Sequence, residues 1–175
     1  EGGSFILGVA HDEADISFNA GTELGMLDGT RRAIGGGVFL GEAVTDLKTE
    51  VSNDSLYASL SLPFGAVTMH AAGRYNRTEV TLRDQIGTAL NGDHSFSRFN
   101  PSLAFTWDAT DSLGFFASYA ESNRAPSPVE LTCANPDAPC RLPNGFVDDP
   151  PLEQVVTTTY ELGLRGGNDD LRWHA

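Results

Sequence analysis

The sequence predicts an all-β fold: an antiparallel, up-and-down transmembrane β-barrel, present in part, with about six to seven strands of a larger barrel. Three observations carry this expectation. Apolar and polar residues alternate along segments of roughly a dozen residues or more, whereas strands of globular proteins average about five or six. Short turns fall at one end of these segments and long polar connections at the other, the loop asymmetry of outer-membrane barrels. No run of about eighteen apolar residues exists, so no helix crosses a bilayer, while spanning strands carry only a weak alternating signal of the kind found here.

Taken in order, Ser4–Asn19 reads as the first strand, with Phe5, Leu7 and Val9 in one phase and Ile16 and Phe18 in the other. That slip predicts a bulge, or a strand leaving the bilayer, near His11–Asp15. A loop is expected over about Ala20–Ala43, where Asp28-Gly29-Thr30 and Gly35-Gly36-Gly37 supply turn chemistry. The second strand, about Val44–Leu62, puts Leu56, Ala58, Leu60 and Leu62 on one face and Asp54, Tyr57, Ser59 and Ser61 largely on the other. Pro63-Phe64-Gly65 makes a short turn into a third strand, Ala66–Leu82. There Val67, Met69, Ala71, Gly73 and Tyr75 oppose Thr68, His70, Ala72, Arg74 and Asn76.

A further loop, Arg83–Ser95, leads to a fourth strand at Phe96–Ala109, whose Phe99, Leu103, Phe105 and Trp107 share a face. Trp107 stands near its end, as an interfacial aromatic would. Ala109–Ser112 turns into a fifth strand, Leu113–Arg124, and after a connection of about thirty residues the sixth, Thr157–Arg165, sets Tyr160, Leu162 and Leu164 against Glu161, Gly163 and Arg165. Gly166-Gly167-Asn168-Asp169 turns into a seventh strand, and almost no convincing helix interrupts the series. Seven strands cannot close a large barrel, and an open edge in lipid leaves backbone groups unsatisfied, so the chain, which starts at Glu1 and stops inside a new alternation, reads as an internal fragment of a single barrel domain.

Composition narrows the function. The 175 residues carry only 11 Lys and Arg and a net charge of −13, which argues against a nucleic-acid partner. Mean hydropathy is −0.20, compatible with a soluble domain or a barrel. His11 with Asp12, Glu13 and Asp15 alternates across the strand, and no nucleophile stands beside it; neither Ser4 nor Ser118 lies in a Gly-x-Ser-x-Gly elbow. Gly35-Gly36-Gly37 lacks the Lys and the following helix of a phosphate cradle. No catalytic residue, metal ligand or cofactor is therefore expected. Asn76-Arg77-Thr78 matches a glycosylation acceptor, which a bacterial outer membrane makes irrelevant. Cys133 and Cys140 are separated by Ala-Asn-Pro-Asp-Ala-Pro, and a local disulfide is the expected pairing in an oxidising compartment; two thiols alone make zinc improbable, and Asp148-Asp149 reads as a solvated turn.

Strand phase nominates His70, Arg74, Asn76, Arg98, Asn100, Glu121, Glu161 and Arg165 as lumen-facing, lining a polar interior or hydrating the wall. Arg124 and Arg141 flank the cysteine loop and are the candidate cations for an anionic or catecholate ligand.

A family resemblance rests on Phe99-Asn100-Pro101-Ser102-Leu103, Phe116-Ala117-Ser118-Tyr119-Ala120-Glu121-Ser122, Arg124-Ala125-Pro126, Pro151-Leu152-Glu153 and Tyr160-Glu161-Leu162-Gly163-Leu164-Arg165. These segments resemble the barrel of TonB-dependent outer-membrane receptors, well over Phe96–Gly166 and more loosely earlier, as in Gly73-Arg74-Tyr75-Asn76. The resemblance implies a plugged barrel of about 22 strands that imports an iron-siderophore, cobalamin, haem or a sugar. Its implied partners are the inner-membrane TonB complex, reached through a plug that these residues do not include, the imported ligand, and outer-membrane lipid. A ferric siderophore is the default cargo by family frequency. Two rivals share the strand pattern: a passive barrel, porin or adhesin, and a soluble β-sandwich binding module.

Overall fold

The computed structural model describes residues 2–133, 152–167 and 171–175, with nothing described for the side chains of residues 42, 43 and 133. Strands β1 (Ser4–Leu27), β2 (Ala33–Phe64), β3 (Val67–Asp84), β4 (Gly92–Thr110), β5 (Leu113–Arg124), β6 (Val155–Gly167) and β7 (Arg172–His174) form one sheet, and a short helix α1 (Pro128–Cys133) lies between β5 and β6. Strand order in the sheet is strand order in the chain, every pair is antiparallel, and the sheet is not closed: it is a partial barrel wall.

Register turns the alternation of single strands into continuous rows on one face. Phe64, Val67, Trp107, Phe115 and Leu164 are consecutive cross-strand partners beside the short turns, where Gly65 supplies a φ of 64°. The next row is Leu62, Met69, Phe105, Ala117 and Leu162. Above it run Phe5, Leu60, Ala71, Leu103, Tyr119 and Tyr160, then Leu7, Ala58, Gly73 and Pro101, then Val9, Leu56, Tyr75 and Phe99. One step higher the row is His11, Asp54, Arg77 and Ser97, followed by Glu13, Ser52, Glu79 and Ser95. From Val67 to Tyr75 the apolar stretch covers about 27 Å of strand, roughly 20 Å of height at the usual barrel tilt, and the rim side chains extend it toward the ~25 Å apolar band of a membrane barrel. Water would face an apolar sheet here, since Leu162 is 85% and Val9 78% exposed.

The phase slip near His11–Asp15 involves no bulge, because pairing is unbroken from Ser4↔Ser61 to Gly21↔Val44. Instead β1 leaves the apolar band: His11, Glu13 and Asp15 continue the face of Phe5–Val9 above it, and Ile16 and Phe18 belong to the other face. Asp54 likewise sits in phase with Leu56 and meets His11 at 2.8 Å, not with Tyr57 as expected. The acidic partner raises the His11 pKa, first through that hydrogen bond and then by its charge.

The expected loop over Ala20–Ala43 is mostly strand. Thr22, Leu24 and Met26 pair with Leu40, Val38 and Ile34, and the true turn is confined to Asp28–Arg32. There the Asp28 carboxylate accepts the Thr30 and Arg32 N–H groups and the Thr30 hydroxyl at 2.7–2.9 Å, which holds its pKa down. The glycine run is a strand irregularity rather than a turn: the register shifts between Leu24 and Gly25, Gly37 takes a φ of 72°, and its N–H donates to Glu23 at 2.6 Å. At the next connection β3 runs on to Asp84 and β4 begins at Gly92. Burial works to raise the Asp84 pKa, and N–H groups of Ile86, Gly87 and Leu90 outweigh it and lower it.

Packing is concentrated on the second face above the apolar band. Leu47, Val80 and Leu82 are buried there together with Leu131 of α1, and Phe18, Val51, Leu90 and Phe96 pack around them. The helix therefore folds back from β5 across to β2 and β3. Its start is a capping box: the Ser127 N–H donates to Glu130 at 2.6 Å, the Ser127 hydroxyl accepts the Glu130 N–H at 3.4 Å, and Pro128 occupies the first helical position.

Candidate functional site

The second face is polar at the height of the apolar band. Ser61, His70 and Ala104 form one row of partners; Tyr57, Arg74 and Asn100 form another; Ser55, Asn76 and Arg98 form a third. Farther along, Ser118 pairs with Glu161 and Gly114 with Arg165, on the face shared with Ala104 and Asp108. The register thus gathers His70, Arg74, Asn76, Arg98, Asn100, Glu161 and Arg165 on one side. Glu121 is the exception, since it steps in phase with Tyr119, whose hydroxyl donates to it. Its carboxylate nevertheless meets the Arg98 guanidinium at 2.6 Å, with the two side chains 20% and 31% exposed.

Pro101 accounts for that departure. Pairing of β4 with β5 runs up to Ser102↔Ala120, and the next β4 residue has no N–H to donate. Above it side chains take over from the backbone ladder. Asn123 accepts from Asn100 at 2.6 Å and from Asn76 at 3.1 Å, it donates to Gln154 at 2.9 Å, and Gln154 donates to the Ser97 carbonyl at 3.0 Å. On the β3 side Arg74 donates to Asn76 at 2.7 Å and to Ser55 at 2.9 Å. Of these groups Arg74, Asn76, Asn100 and Asn123 line a cavity of about 430 Å³, together with Tyr57 and Glu121 among others. A smaller one of about 160 Å³ lies below, beside His70, Ser102 and Ser118. Near the short turns Arg165 is held by Asp108 at 3.0 Å, and Glu161 accepts from Ser118 at 3.3 Å.

Arg124 and Arg141 fare differently. Arg124 is gripped by both carboxylate oxygens of Glu130, at 2.9 and 3.1 Å. This hydrogen bonding, with that from Ser127, pushes the Glu130 pKa down to about 2. Arg124 therefore fastens α1 to the end of β5, with its side chain 57% exposed. Arg141 and Cys140 lie outside the described residues, as does the Cys133 side chain.

Sequence reasoning passed over Tyr57 and Asn123, which alternation alone ranks as ordinary wall residues, and Gln154, which falls in the long connection before the sixth strand. It also missed α1, whose signal, Ser127-Pro128-Val129-Glu130, is in the sequence.

A search of curated proteins found no match. The sequence model of the family described as TonB dependent receptor-like, beta-barrel matches residues 5–175, nearly the whole chain. With a wall of antiparallel strands whose apolar rows are sealed by a charged row, the chain belongs to the β-barrel family of TonB-dependent receptors.

Proposed function

We propose that this wall serves a receptor that binds a scarce ligand at the bacterial outer membrane and imports it with energy from the inner-membrane TonB complex, the cargo being a ferric siderophore. The observation that carries the reading is the set of apolar rows ending abruptly at His11, Asp54, Arg77 and Ser97. A sheet with that boundary fits a lipid-facing side at the band and a lumen on the other side, where Arg74, Arg98, Asn100 and Glu121 meet. The family is one of transport proteins of the outer membrane, so binding followed by passage is the matching activity and catalysis is not required. Contact with the TonB complex would run through a plug inside the lumen, and outer-membrane lipid would cover the apolar rows.

The test is uptake of radioactive iron, supplied as a siderophore chelate, by cells with and without the gene, under iron limitation. Uptake that needs the gene and stops when a protonophore collapses the inner-membrane gradient is the expected result. Gene-dependent uptake that persists under protonophore would identify a passive barrel instead, and recovery of the protein from the aqueous fraction without detergent would sink the membrane reading altogether.

A further inference from the structure

We infer that the wall is split between β4 and β5, and that the crevice so formed, latched by Arg98 and Glu121, takes the polar head of an amphiphile from the outer leaflet while its apolar chain stays in the bilayer; this rests on the membrane placement proposed above. The split begins near mid-height. β4 and β5 pair from Thr110↔Leu113 to Ser102↔Ala120, whereas β5 stays paired with β6 through Glu121↔Thr158 and Asn123↔Val156 to Arg124↔Val155. Among the described residues no strand therefore pairs with the β5 side of β4 from Gly92 to Pro101, although β3 accompanies the same stretch on its other side. Trp107 stands at the rim beside the short turns, and Ser102 lies about 13 Å above it at the usual tilt, roughly half of the ~25 Å apolar band. The crevice thus occupies the outer-leaflet half of the band and opens upward to the polar rows of Ser97 and Ser95.

The contacts across the split show which way its far side leans. Glu121 and Asn123 step in phase with Tyr119 of the lipid-facing row, yet Asn123 bonds Asn76 and Asn100 of the second face, and beyond it Leu131 of α1 is buried on that face among Leu47, Val80 and Leu82. The upper part of the β5–β6 pair therefore leans over the second face and leaves the edge of β4 behind it. Glu121 stands in the opening. One of its carboxylate oxygens accepts the hydroxyl of Tyr119, whose ring lies 5.2 Å from that of Tyr160 on the lipid-facing side. The other meets Arg98, which steps with Asn100 on the second face, at 2.6 Å. A polar thread through Tyr119, Glu121 and Arg98 so crosses the wall just where the ladder that seals it below has ended. Unpaired backbone is not tolerated against hydrocarbon, so the crevice calls for a polar occupant at this depth. Its lipid-side flanks are apolar instead, with Phe99 58% and Tyr160 76% exposed. Polar within, apolar outside and open toward the head groups, the crevice matches a molecule that is itself polar at one end and apolar at the other.

The experiment uses the full-length receptor in phosphatidylcholine vesicles that contain tritiated phosphatidylethanolamine. The photoreactive residue p-benzoylphenylalanine replaces Ser122 on the leaning segment, Leu162 on the lipid face, or His70 on the second face behind unbroken ladders; all three positions are exposed. Heat-modifiable gel mobility confirms that each variant is a folded barrel. On irradiation the Ser122 probe is expected to take lipid label, the Leu162 probe to take more, and the His70 probe to stay at background. Glu121→Gln, which removes the charge of the latch, should raise labelling at Ser122 about twofold and leave the other two positions unchanged. Background labelling at Ser122 beside a labelled Leu162 overturns the inference and leaves the receptor reading standing. So does labelling of His70 equal to that of Ser122, or labelling of Ser122 that Glu121→Gln does not raise. An unlabelled Leu162 probe in a folded barrel overturns both readings.

Discussion

Leu162→Arg separates a lipid-facing band from a sheet that merely alternates. Leu162 is 85% exposed, so its side chain contributes almost nothing to packing within the wall, and an arginine there meets no steric obstacle. In water such a change costs about 0.5 kcal/mol or less. In a bilayer the position matters: Leu162 shares a row with Met69 and Phe105, one step from the central row of Leu60, Leu103 and Tyr160, roughly 5 Å from mid-height at the usual tilt. An arginine so near the midplane costs about 2–4 kcal/mol. Thr159→Arg, on the opposite face of the same strand, is the control and is expected to stay within about 0.5 kcal/mol. The assay is reversible denaturant unfolding of the receptor carrying this wall in phosphatidylcholine vesicles. Equal effects of the two arginines, or a cost below about 0.5 kcal/mol for Leu162→Arg, would refute the assignment of faces.

Other consequences can be read in the same preparation. Leu82→Ala, at a position 2% exposed among Leu47, Val80 and Leu131, is expected to cost about 2–4 kcal/mol by equilibrium unfolding, whereas Leu40→Ala on the outlying ribbon should cost well under half of that. The Glu130 carboxyl has a lowered pKa in the folded chain, so its contribution is complete above its ordinary pKa of 4.5 and disappears as pH falls toward about 2. Hydrogen-exchange protection at Val129–Thr132, taken relative to the unstructured rate at each pH, should therefore fall as pH drops between those values, modestly because the pair is partly exposed, and Glu130→Gln should abolish that pH dependence. His11 behaves in the opposite sense: its raised pKa makes the pair with Asp54 stabilising at low pH and weaker as pH rises through the folded value. A His11 titration followed by NMR should move to lower pH in Asp54→Asn, and an unmoved titration would dismiss the pair.

The wall was legible because the chemistry that defines it is periodic. Val67, Met69 and Tyr75 alternate with His70 and Arg74 strictly enough to assign both faces of β3 from the sequence. What the alternation could not reveal is where it continues without a membrane. Above Val9 the same face turns polar and the other turns apolar, so an unbroken strand looks like a phase slip, and a strand seeded with Gly35, Gly36 and Gly37 looks like a loop. The site was harder to read for another reason. Arg74, Arg98 and Asn100 follow from strand phase, but Asn123 and Gln154 join them only because Pro101 interrupts a ladder, and Glu121 reaches Arg98 against its own phase. Proline chemistry is visible in one strand, yet its effect lies between two. Arg124 shows the converse, a conspicuous cation whose partner, Glu130, was hidden in an unrecognised cap.

The β1–β2 ribbon has a mechanical consequence. Among the described residues β3 pairs with it only as far as Leu47, opposite Asp84, and beyond that point the two strands continue as a pair to the turn at Asp28. That free length is about 34 Å at roughly 3.4 Å per residue. Both register irregularities of the pair, at Gly21/Thr22 and Leu24/Gly25, fall in its lower two thirds, and irregularities of this kind are where strands bend. With such leverage, a bend of about 10° at the base carries the tip through roughly 6 Å. The Asp28 clasp keeps the tip itself in one shape, so Arg31 and Arg32 would swing together as a rigid basic point above the wall.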